Sequence, residues 1–312
     1  MMARSDTLIS AHRLGKTFRS RPFAKGFRAL TEVNLEVGRG SVFGLLGPNG
    51  AGKTTFIKIL LGLVRGWDGE AWLLGERAGK PVPRRRIGFL PEAHRLPGYL
   101  TGRQVLRLCG MYSGRSPRWL DERIPAWLER VGMTKDADRK IREFSKGMAQ
   151  RIGLAQAFVH EPELVFLDEP TDGVDPIGRA AIRQIVLDLK GTGTTIFINS
   201  HLLMEVEKVC DRVVIMDRGR IIQEGTIAEL TPPTGRVRFE VAAPPGTDVA
   251  GAIRGLGQGF RAEKDGFELD LDEAEQDQVV DRLRAAGIGI RSIEPRKLSL
   301  EEFFIRKIRE GR

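Results

Sequence analysis

Cysteine is scarce in this sequence, and long apolar runs are missing. The two cysteines, Cys109 and Cys210, lie far apart and lack the spacing of metal ligands. The chain does not open with the charged start, apolar core and cleavage site of a secretory signal, so we predict a reducing, cytoplasmic location. Each apolar run ends after a few residues, whereas a helix that crosses a bilayer needs about 20. We therefore expect a chain that does not cross a membrane by itself.

Basic residues outnumber acidic ones. The formal net charge is +9, and much of the positive charge lies in residues 13–28 and 80–86. Such charge is compatible with anionic lipid, nucleic acid or an acidic protein partner, and equally with solvated arginine-rich loops. Neither cluster interleaves aromatic residues in a recognisable nucleic-acid-binding motif, so we do not expect nucleic acid as a partner.

The 312 residues are enough for a large α/β domain and a smaller one. From Leu8 to about Gly225, apolar β-branched runs alternate with segments of helical periodicity, which predicts a largely parallel sheet covered by helices. The predicted strands of this sheet are Val42–Leu46, Ile87–Leu90, Leu164–Leu167, Thr195–Asn199 and Val213–Met216.

Strand signals disappear between Glu92 and Val159. Helical periodicity replaces them, and this predicts a helical subdomain inserted in the sheet domain at about residues 93–160. The predicted helices of the insert are residues 105–111, 119–131 and 148–158.

Turn-forming residues at 231–235 predict a linker. Beyond it the predicted elements follow the order βαββαβ, which matches the ferredoxin-like unit. A last amphipathic helix is predicted over Leu300–Ile308. We therefore predict an α/β domain over residues 1–230 and a small C-terminal α+β accessory domain over residues 231–312.

A complete phosphate-binding loop lies between a strand-like and a helix-like segment. Its glycines let backbone N–H groups close on phosphates at the start of the following helix. Lys53 is placed to reach the β- and γ-phosphates, and the Thr54 hydroxyl is placed to ligate Mg²⁺. This pattern predicts binding of a nucleoside triphosphate by the nine loop residues Gly47, Pro48, Asn49, Gly50, Ala51, Gly52, Lys53, Thr54 and Thr55.

Two further predicted strands end in residues suited to phosphoryl transfer. Asp168 and Glu169 follow a buried strand, where Asp168 would hold the Mg²⁺ shell and Glu169 would be the general base. His201 ends another strand-like run, where a ring nitrogen could reach the γ-phosphate and Glu169. The three residues are candidate catalytic and metal-binding groups beside Lys53.

A helix start upstream of these carboxylates completes the pattern. Ser145 is read as a helix N-cap, and Gly147 leaves the first turn open to an anion. With the other motifs in this order, the segment 144–152 resembles the signature motif of ABC-type ATPases. The resemblance covers residues 8 to about 225. It implies that ATP lies between two chains, with Ser145 and Gly147 of one chain covering the γ-phosphate held by the other. The implied partner is a second copy or a paralogous ATPase subunit.

The resemblance also assigns roles to three less typical residues. Phe18 matches the aromatic position that stacks on adenine, although a phenylalanine of the hydrophobic core would give the same sequence pattern. Glu92 stands where this family usually has the glutamine that senses Mg²⁺, and its carboxylate still offers an oxygen to the metal or to its water. Asp172 stands where asparagine or serine is more common, in a loop that crosses the dimer interface. Residues 93–104 are expected to line the groove for the coupling helix of a membrane subunit.

Several features are similar to ABC-2 type exporter ATPases. They are the Ser-Lys-Gly-Met signature at 145–148, the Pro-Glu pair at 91–92 and the tail at 299–303. The resemblance implies an ATP- and Mg²⁺-dependent ATPase that lies peripherally on the inner face of the cell membrane and powers a separately encoded permease. The alternative is a soluble ABC ATPase acting on ribosomes or nucleic acid. Such proteins generally join two ATPase domains or insert a long coiled coil, whereas this chain has one motif set and no heptad run.

Overall fold

The computed structural model describes residues 6–19, 26–80, 84–244, 246–271 and 273–310. They form two compact units. The first contains the described residues up to Ile227 together with those from Lys307, and the second contains Ala228 to Arg306. Within the described ranges, no helix is long and apolar enough to span a membrane.

A six-stranded sheet forms the centre of the first unit. With strands numbered in chain order, its members are β3 (Val42–Leu46), β6 (Ile87–Leu90), β7 (Leu164–Asp168), β8 (Thr195–Asn199), β9 (Arg212–Asp217) and β10 (Arg220–Thr226). The strand order is β10-β9-β3-β8-β7-β6, and all neighbours are parallel except β9 and β10. Every residue of β3, β7 and β8 is buried, as expected for parallel strands covered on both faces. The predicted strands match these bounds to within one residue.

Aromatic packing stabilises the middle of this sheet. Phe43 on β3 stacks on Phe197 on β8 with ring centroids 5.6 Å apart, and Phe166 on β7 lies 5.4 Å from Phe197. Phe56, in the helix after β3, is 6.3 Å from the same ring. These buried rings fix the three strands side by side, and with them the loops at the strand ends.

A second, antiparallel sheet belongs to the same unit and was not predicted. It has the order β2-β1-β4-β5 and contains β1 (Thr7–Phe18), β2 (Phe27–Gly38), β4 (Asp68–Leu73) and β5 (Glu76–Arg77). Several register shifts interrupt the pairing of β1 with β2. A bulged strand loses the strict alternation of buried and exposed residues, so its period is hard to read from sequence.

Helices cover the parallel sheet, and three of them form the predicted insert. The helices are α1 (Lys53–Leu60), α2 (Gly102–Tyr112), α3 (Pro117–Arg130), α4 (Lys146–Phe158), α5 (Pro176–Lys190) and α6 (Leu203–Val209). The short α7 (Ile227–Leu230) follows at the boundary of the two units along the chain. Side chains cap the insert helices: Thr101 forms a capping box with Gln104 before α2, and Ser116 caps α3. The described part of residues 91–163 contains no strand beyond an isolated bridge between Thr101 and Lys140.

A four-stranded antiparallel sheet, with helices between its strands, forms the centre of the second unit. Along the chain come β11 (Pro233–Ala242), α8 (Val249–Ala252), β12 (Gln258–Glu263), β13 (Gly266–Asp270), α9 (Glu273–Ala285) and β14 (Gly289–Lys297), followed by α10 (Leu300–Glu310). This order is β-α-β-β-α-β, and the sheet order is β12-β13-β11-β14. Phe239 and Phe267 stack at 5.0 Å in its core. The prediction of a linker at residues 231–235 is partly wrong, because β11 already begins at Pro233.

Candidate active site

Three neighbouring strands of the parallel sheet bring the predicted motifs together. β3, β8 and β7 are adjacent, and their carboxyl ends meet at one edge of the sheet. They bound a cavity of about 500 Å³, within the range of small-molecule sites. Its lining consists of Phe27, Ala29, Asn49, Gly50, Ala51, Gly52, Lys53, Thr54, Thr55, Glu92, Glu169, Asp172, Asn199 and His201.

The phosphate loop connects β3 to α1. Gly52 has φ of 103°, and a Cβ at this position would lie 2.5 Å from the carbonyl oxygen of Ala29, so only glycine fits here. Helix α1 has no side-chain N-cap and no acidic residue in its first turn. Its first backbone N–H groups, with the positive end of the helix dipole, therefore face the cavity as an anion site.

The side chain of Lys53 folds back onto the phosphate loop. Its ammonium donates to the carbonyl oxygens of Gly47 at 2.7 Å and Pro48 at 3.3 Å. Burial lowers the pKa of Lys53, and the carboxylates of Glu169 and Asp168 partly oppose this. The lysine is thus a buried cation bonded only to neutral carbonyls in this arrangement, and a phosphate oxygen is a stronger partner for it.

Asp168 ends β7 as a buried carboxylate. The amide of Asn199, at the end of β8, donates to its Oδ1. Burial raises the pKa of Asp168, and the nearby charges of Glu92 and Glu169 add to the effect. A carboxylate in such surroundings is stabilised by a cation. Asp168 therefore has the environment of a metal-binding residue.

The oxygen atoms near Asp168 fit Mg²⁺. Among the described ranges, no cluster of three or more histidine, cysteine or acidic side chains could hold a metal without help. Mg²⁺ does not need one, because it binds one or two carboxylates together with water and substrate phosphates. The buried Oδ1 of Asn199 also has no hydrogen-bond partner. Thr54, Glu92 and Asp168 would supply hard oxygen donors, and such donors fit a metal shared with a nucleotide.

Glu169 and His201 form a pair across two strand ends. Oε2 of Glu169 is 2.8 Å from Nδ1 of His201 and accepts from its backbone N–H at 3.3 Å. Glu169 is buried and has φ of 52°, a left-handed conformation that few non-glycine residues adopt. The His201 side chain is half-exposed and lines the cavity, so it contacts the Glu169 carboxylate and is also open to the cavity. This arrangement suits a general base with a fixed direction.

Comparison with known proteins agrees with this geometry. The ABC transporter family matches residues 30–172. The chain is 35% identical over 285 residues to daunorubicin resistance ATP-binding protein DrrA3 of Streptomyces coeruleorubidus, covering 89% of this chain and 90% of that protein. It is 36% identical over 277 residues to Nod factor export ATP-binding protein I of Rhizobium sp. (strain N33), covering 88% and 90%. A solved ATP binding subunit of an ABC transporter superposes with TM-score 0.64 at 31% identity, covering 72% and 92%.

The chain belongs to the ABC transporter ATP-binding proteins. The predicted family, its P-loop α/β fold and its ATPase activity are thereby confirmed. As an ABC ATPase, the chain binds and hydrolyses ATP. The roles of the individual residues stay predictions based on the geometry above.

Six residues of the predicted site of this ABC ATPase do not line its cavity, namely Phe18, Gly47, Pro48, Ser145, Gly147 and Asp168. Ser145 caps α4, accepting from the backbone N–H of Met148 at 3.2 Å, and neither it nor Gly147 lines the cavity. This is the arrangement expected if they serve the nucleotide of another chain. Phe18 is half-exposed and also outside the lining, with the Lys16 ammonium 4.9 Å from its ring centroid.

Sequence reasoning missed Phe27 and Asn199. Phe27 pairs with Phe18 across β1 and β2 and lines the cavity of the ABC ATPase. The residues between the two strands give no periodic signal that would align them. Asn199 could have been found, because an amide at the end of a fully buried strand and beside His201 requires a polar partner.

Proposed function

We propose that this ABC ATPase closes as a dimer around two ATP–Mg²⁺ and powers a separately encoded permease of the ABC-2 exporter type. The observation that carries the proposal is the position of Ser145 and Gly147. They lie outside the cavity that holds Lys53, Glu169 and His201. In this proposal, Ser145 and Gly147 of a second chain complete the γ-phosphate site, and that chain is either another copy or a paralogous subunit.

The names of two relatives support export as the direction of transport. One is a daunorubicin resistance protein and the other a Nod factor export protein, and each aligns with nearly nine tenths of this chain. In this role the ATPase lies on the inner face of the membrane as a peripheral subunit, and ATP binding and product release alternate its closed and open states.

The cavity residues divide the hydrolysis reaction between them. Thr54, Asp168 and Glu92 would hold Mg²⁺, which neutralises phosphate charge when bound. Lys53 exchanges the carbonyl oxygens of the loop for oxygens of the β- and γ-phosphates. Glu169 accepts a proton from the attacking water, and His201 keeps the accepting oxygen in place.

A groove in the first unit is the proposed docking site for the permease. It has a volume of about 590 Å³ and lies between the end of α1, strand β6 and the ends of α2 and α4. Leu63 and Tyr112 line it and are exposed on 63% and 67% of their surfaces. Exposed apolar side chains in a groove are typical of a site for an apolar helix face.

Strand β6 connects this groove to the ATP cavity. Phe89 on β6 lines the groove, and Glu92, directly beyond the strand, lines the cavity. A displacement of β6 would therefore change both the groove and the ATP cavity. The predicted permease-facing segment, residues 93–104, follows Glu92 and stays a prediction.

The test uses the chain co-expressed with membrane proteins encoded beside it, with affinity pull-down and ATP-driven transport in vesicles. The wild type is expected to retain a permease and to drive transport. Lys53→Ala should retain the permease but lose ATP turnover. Leu63→Asp should lose the permease, and its unfolding temperature should match the wild type.

Two results would contradict the proposal. Unchanged ATP hydrolysis by Lys53→Ala would exclude the phosphate-loop site. Stimulation of hydrolysis by ribosomes or RNA, with no membrane protein retained, would favour the soluble ABC ATPase instead.

A further inference from the structure

An ion pair joins the signature segment to the chain's own ATP cavity. The ammonium of Lys146, the first residue of α4, lies 3.3 Å from a carboxylate oxygen of Asp172. Asp172 lines the cavity beside Glu169 and His201. Lys146 stands between Ser145 and Gly147, which do not line that cavity. In this short segment, Lys146 therefore contacts a residue of the chain's own cavity, whereas its two neighbours do not line it.

The carboxylates of the cavity present an electrostatic problem for a nucleotide. ATP phosphates are strongly negative, and Glu92, Glu169 and Asp172 line the space that they enter. Glu169 lies 2.8 Å from the His201 ring, and Glu92 has a predicted role beside the metal. Asp172 is matched by Lys146. Without that ammonium, Asp172 would repel the incoming phosphates.

The backbone holds Lys146 in its place over the loop. Gly173 has φ of 63°, and a Cβ on it would lie 1.8 Å from the Lys146 ammonium, so the lysine crosses directly above this glycine. The backbone N–H of Asp172 donates to the carbonyl oxygen of Glu169 at 3.2 Å, which closes the loop as a tight turn.

A second contact between α4 and the same loop is buried. The Gln150 amide donates to the carbonyl oxygen of Pro170 at 2.6 Å. Helix α4 therefore contacts the loop from Glu169 to Val174 at two points, through Lys146 and through Gln150.

We propose that Lys146 is a positioning residue for ATP binding, which acts by neutralising Asp172 beside the phosphates of its own chain. The inference rests on the proposed function only in taking the cavity as the ATP site. It differs from the cross-dimer role of Ser145 and Gly147, because the Lys146 effect passes through Asp172.

The test is a double-mutant cycle on the full chain, with KM for ATP and kcat measured by steady-state hydrolysis. Lys146→Met should raise KM about threefold and leave kcat nearly unchanged, since half-exposed charges interact weakly in water. Lys146→Arg should restore the wild-type KM. Lys146→Met combined with Asp172→Asn should do the same, because no uncompensated carboxylate is left. The Lys146→Met defect should shrink as salt is raised.

A matched ion pair serves as control. Arg107 and Asp121 lie 3.2 Å apart with similar exposure, on α2 and α3 and outside the ATP cavity. Arg107→Met should leave KM at the wild-type value.

Three outcomes would overturn the inference. The first is an unchanged KM in Lys146→Met. The second is a defect that persists in the Asp172→Asn background, which would mean that Lys146 contacts the nucleotide directly. The third is a raised KM in Arg107→Met. Absence of any hydrolysis by the wild type would instead count against the proposed function, so the two failures are distinguishable.

Discussion

At the scale of single residues, His160 is a buried base at the end of α4. Its Nε2 lies 3.0 Å from the carbonyl oxygen of Ile87, while Nδ1 is buried with no hydrogen-bond partner. Burial lowers the pKa of His160, and the Ile87 contact only partly offsets this. The folded protein therefore holds this ring neutral and resists its protonation.

The consequence is a loss of stability in mild acid. An unfolded histidine titrates near pH 6.5, so below that pH the unfolded chain binds a proton that folded His160 rejects. The stabilisation is complete above about pH 6.5 and declines as pH falls toward the lowered folded pKa. We expect His160→Gln, whose amide can donate to Ile87, to lose less melting temperature between pH 7.5 and 5.5 than the wild type. Equal losses in the two proteins would contradict this account.

The sequence predicts the site residues that belong to motifs placed after buried strands. Lys53, Glu169 and His201 line one cavity, because the segments that carry them follow the buried strands β3, β7 and β8, and parallel strands end together. Phe27 could not be found this way. Its place in the cavity depends on its register against Phe18 in a bulged antiparallel pair, and sequence spacing does not reveal that register.

At the scale of elements, Gly88 sets the distance between β6 and α4. A Cβ on Gly88 would lie 1.9 Å from the carbonyl oxygen of Ala157 in α4. We expect Gly88→Ala to push the helix from the sheet and to lower the free energy of unfolding by about 1–3 kcal/mol. Urea denaturation measures this difference.

Gly191, after α5, is the matched control for Gly88. A Cβ there would lie 3.6 Å from the carbonyl oxygen of Asp188, an ordinary contact. Gly191→Ala should therefore leave the free energy of unfolding within about 0.5 kcal/mol of the wild-type value. Equal midpoints for Gly88→Ala and Gly191→Ala would show that α4 does not depend on the close approach at β6.

The two sheets of the first unit differ in how well the sequence predicts them. Strands β3, β7 and β8 are continuous apolar runs with every residue buried, so their sequence identifies them. In β1 the four residues from Leu8 to Ala11 are all buried, and bulges interrupt the rest of its pairing with β2. The antiparallel sheet therefore depends on tertiary pairing, and the local alternation of apolar and polar residues does not predict it.

At the scale of the whole molecule, the predicted behaviour is ATP-dependent dimerisation. Glu169→Gln keeps the size of the side chain and its contact to His201 but removes the carboxylate that accepts a proton. We expect ATP hydrolysis to fall at least about a hundredfold while ATP binding is retained. With hydrolysis stopped, the ATP-bound dimer should accumulate and elute ahead of the monomer in size-exclusion chromatography with ATP and Mg²⁺.

The location of Ser145 makes this prediction specific to a composite site. Ser145 lies outside the cavity of its own chain, so a bulky charge there should not block ATP binding to the monomer. Glu169→Gln combined with Ser145→Arg is therefore expected to bind ATP and to elute as a monomer, and Glu169→Gln with ADP should do the same. If the double variant still dimerises with ATP, Ser145 does not face the nucleotide of the other chain, and the γ-phosphate site is completed by other residues.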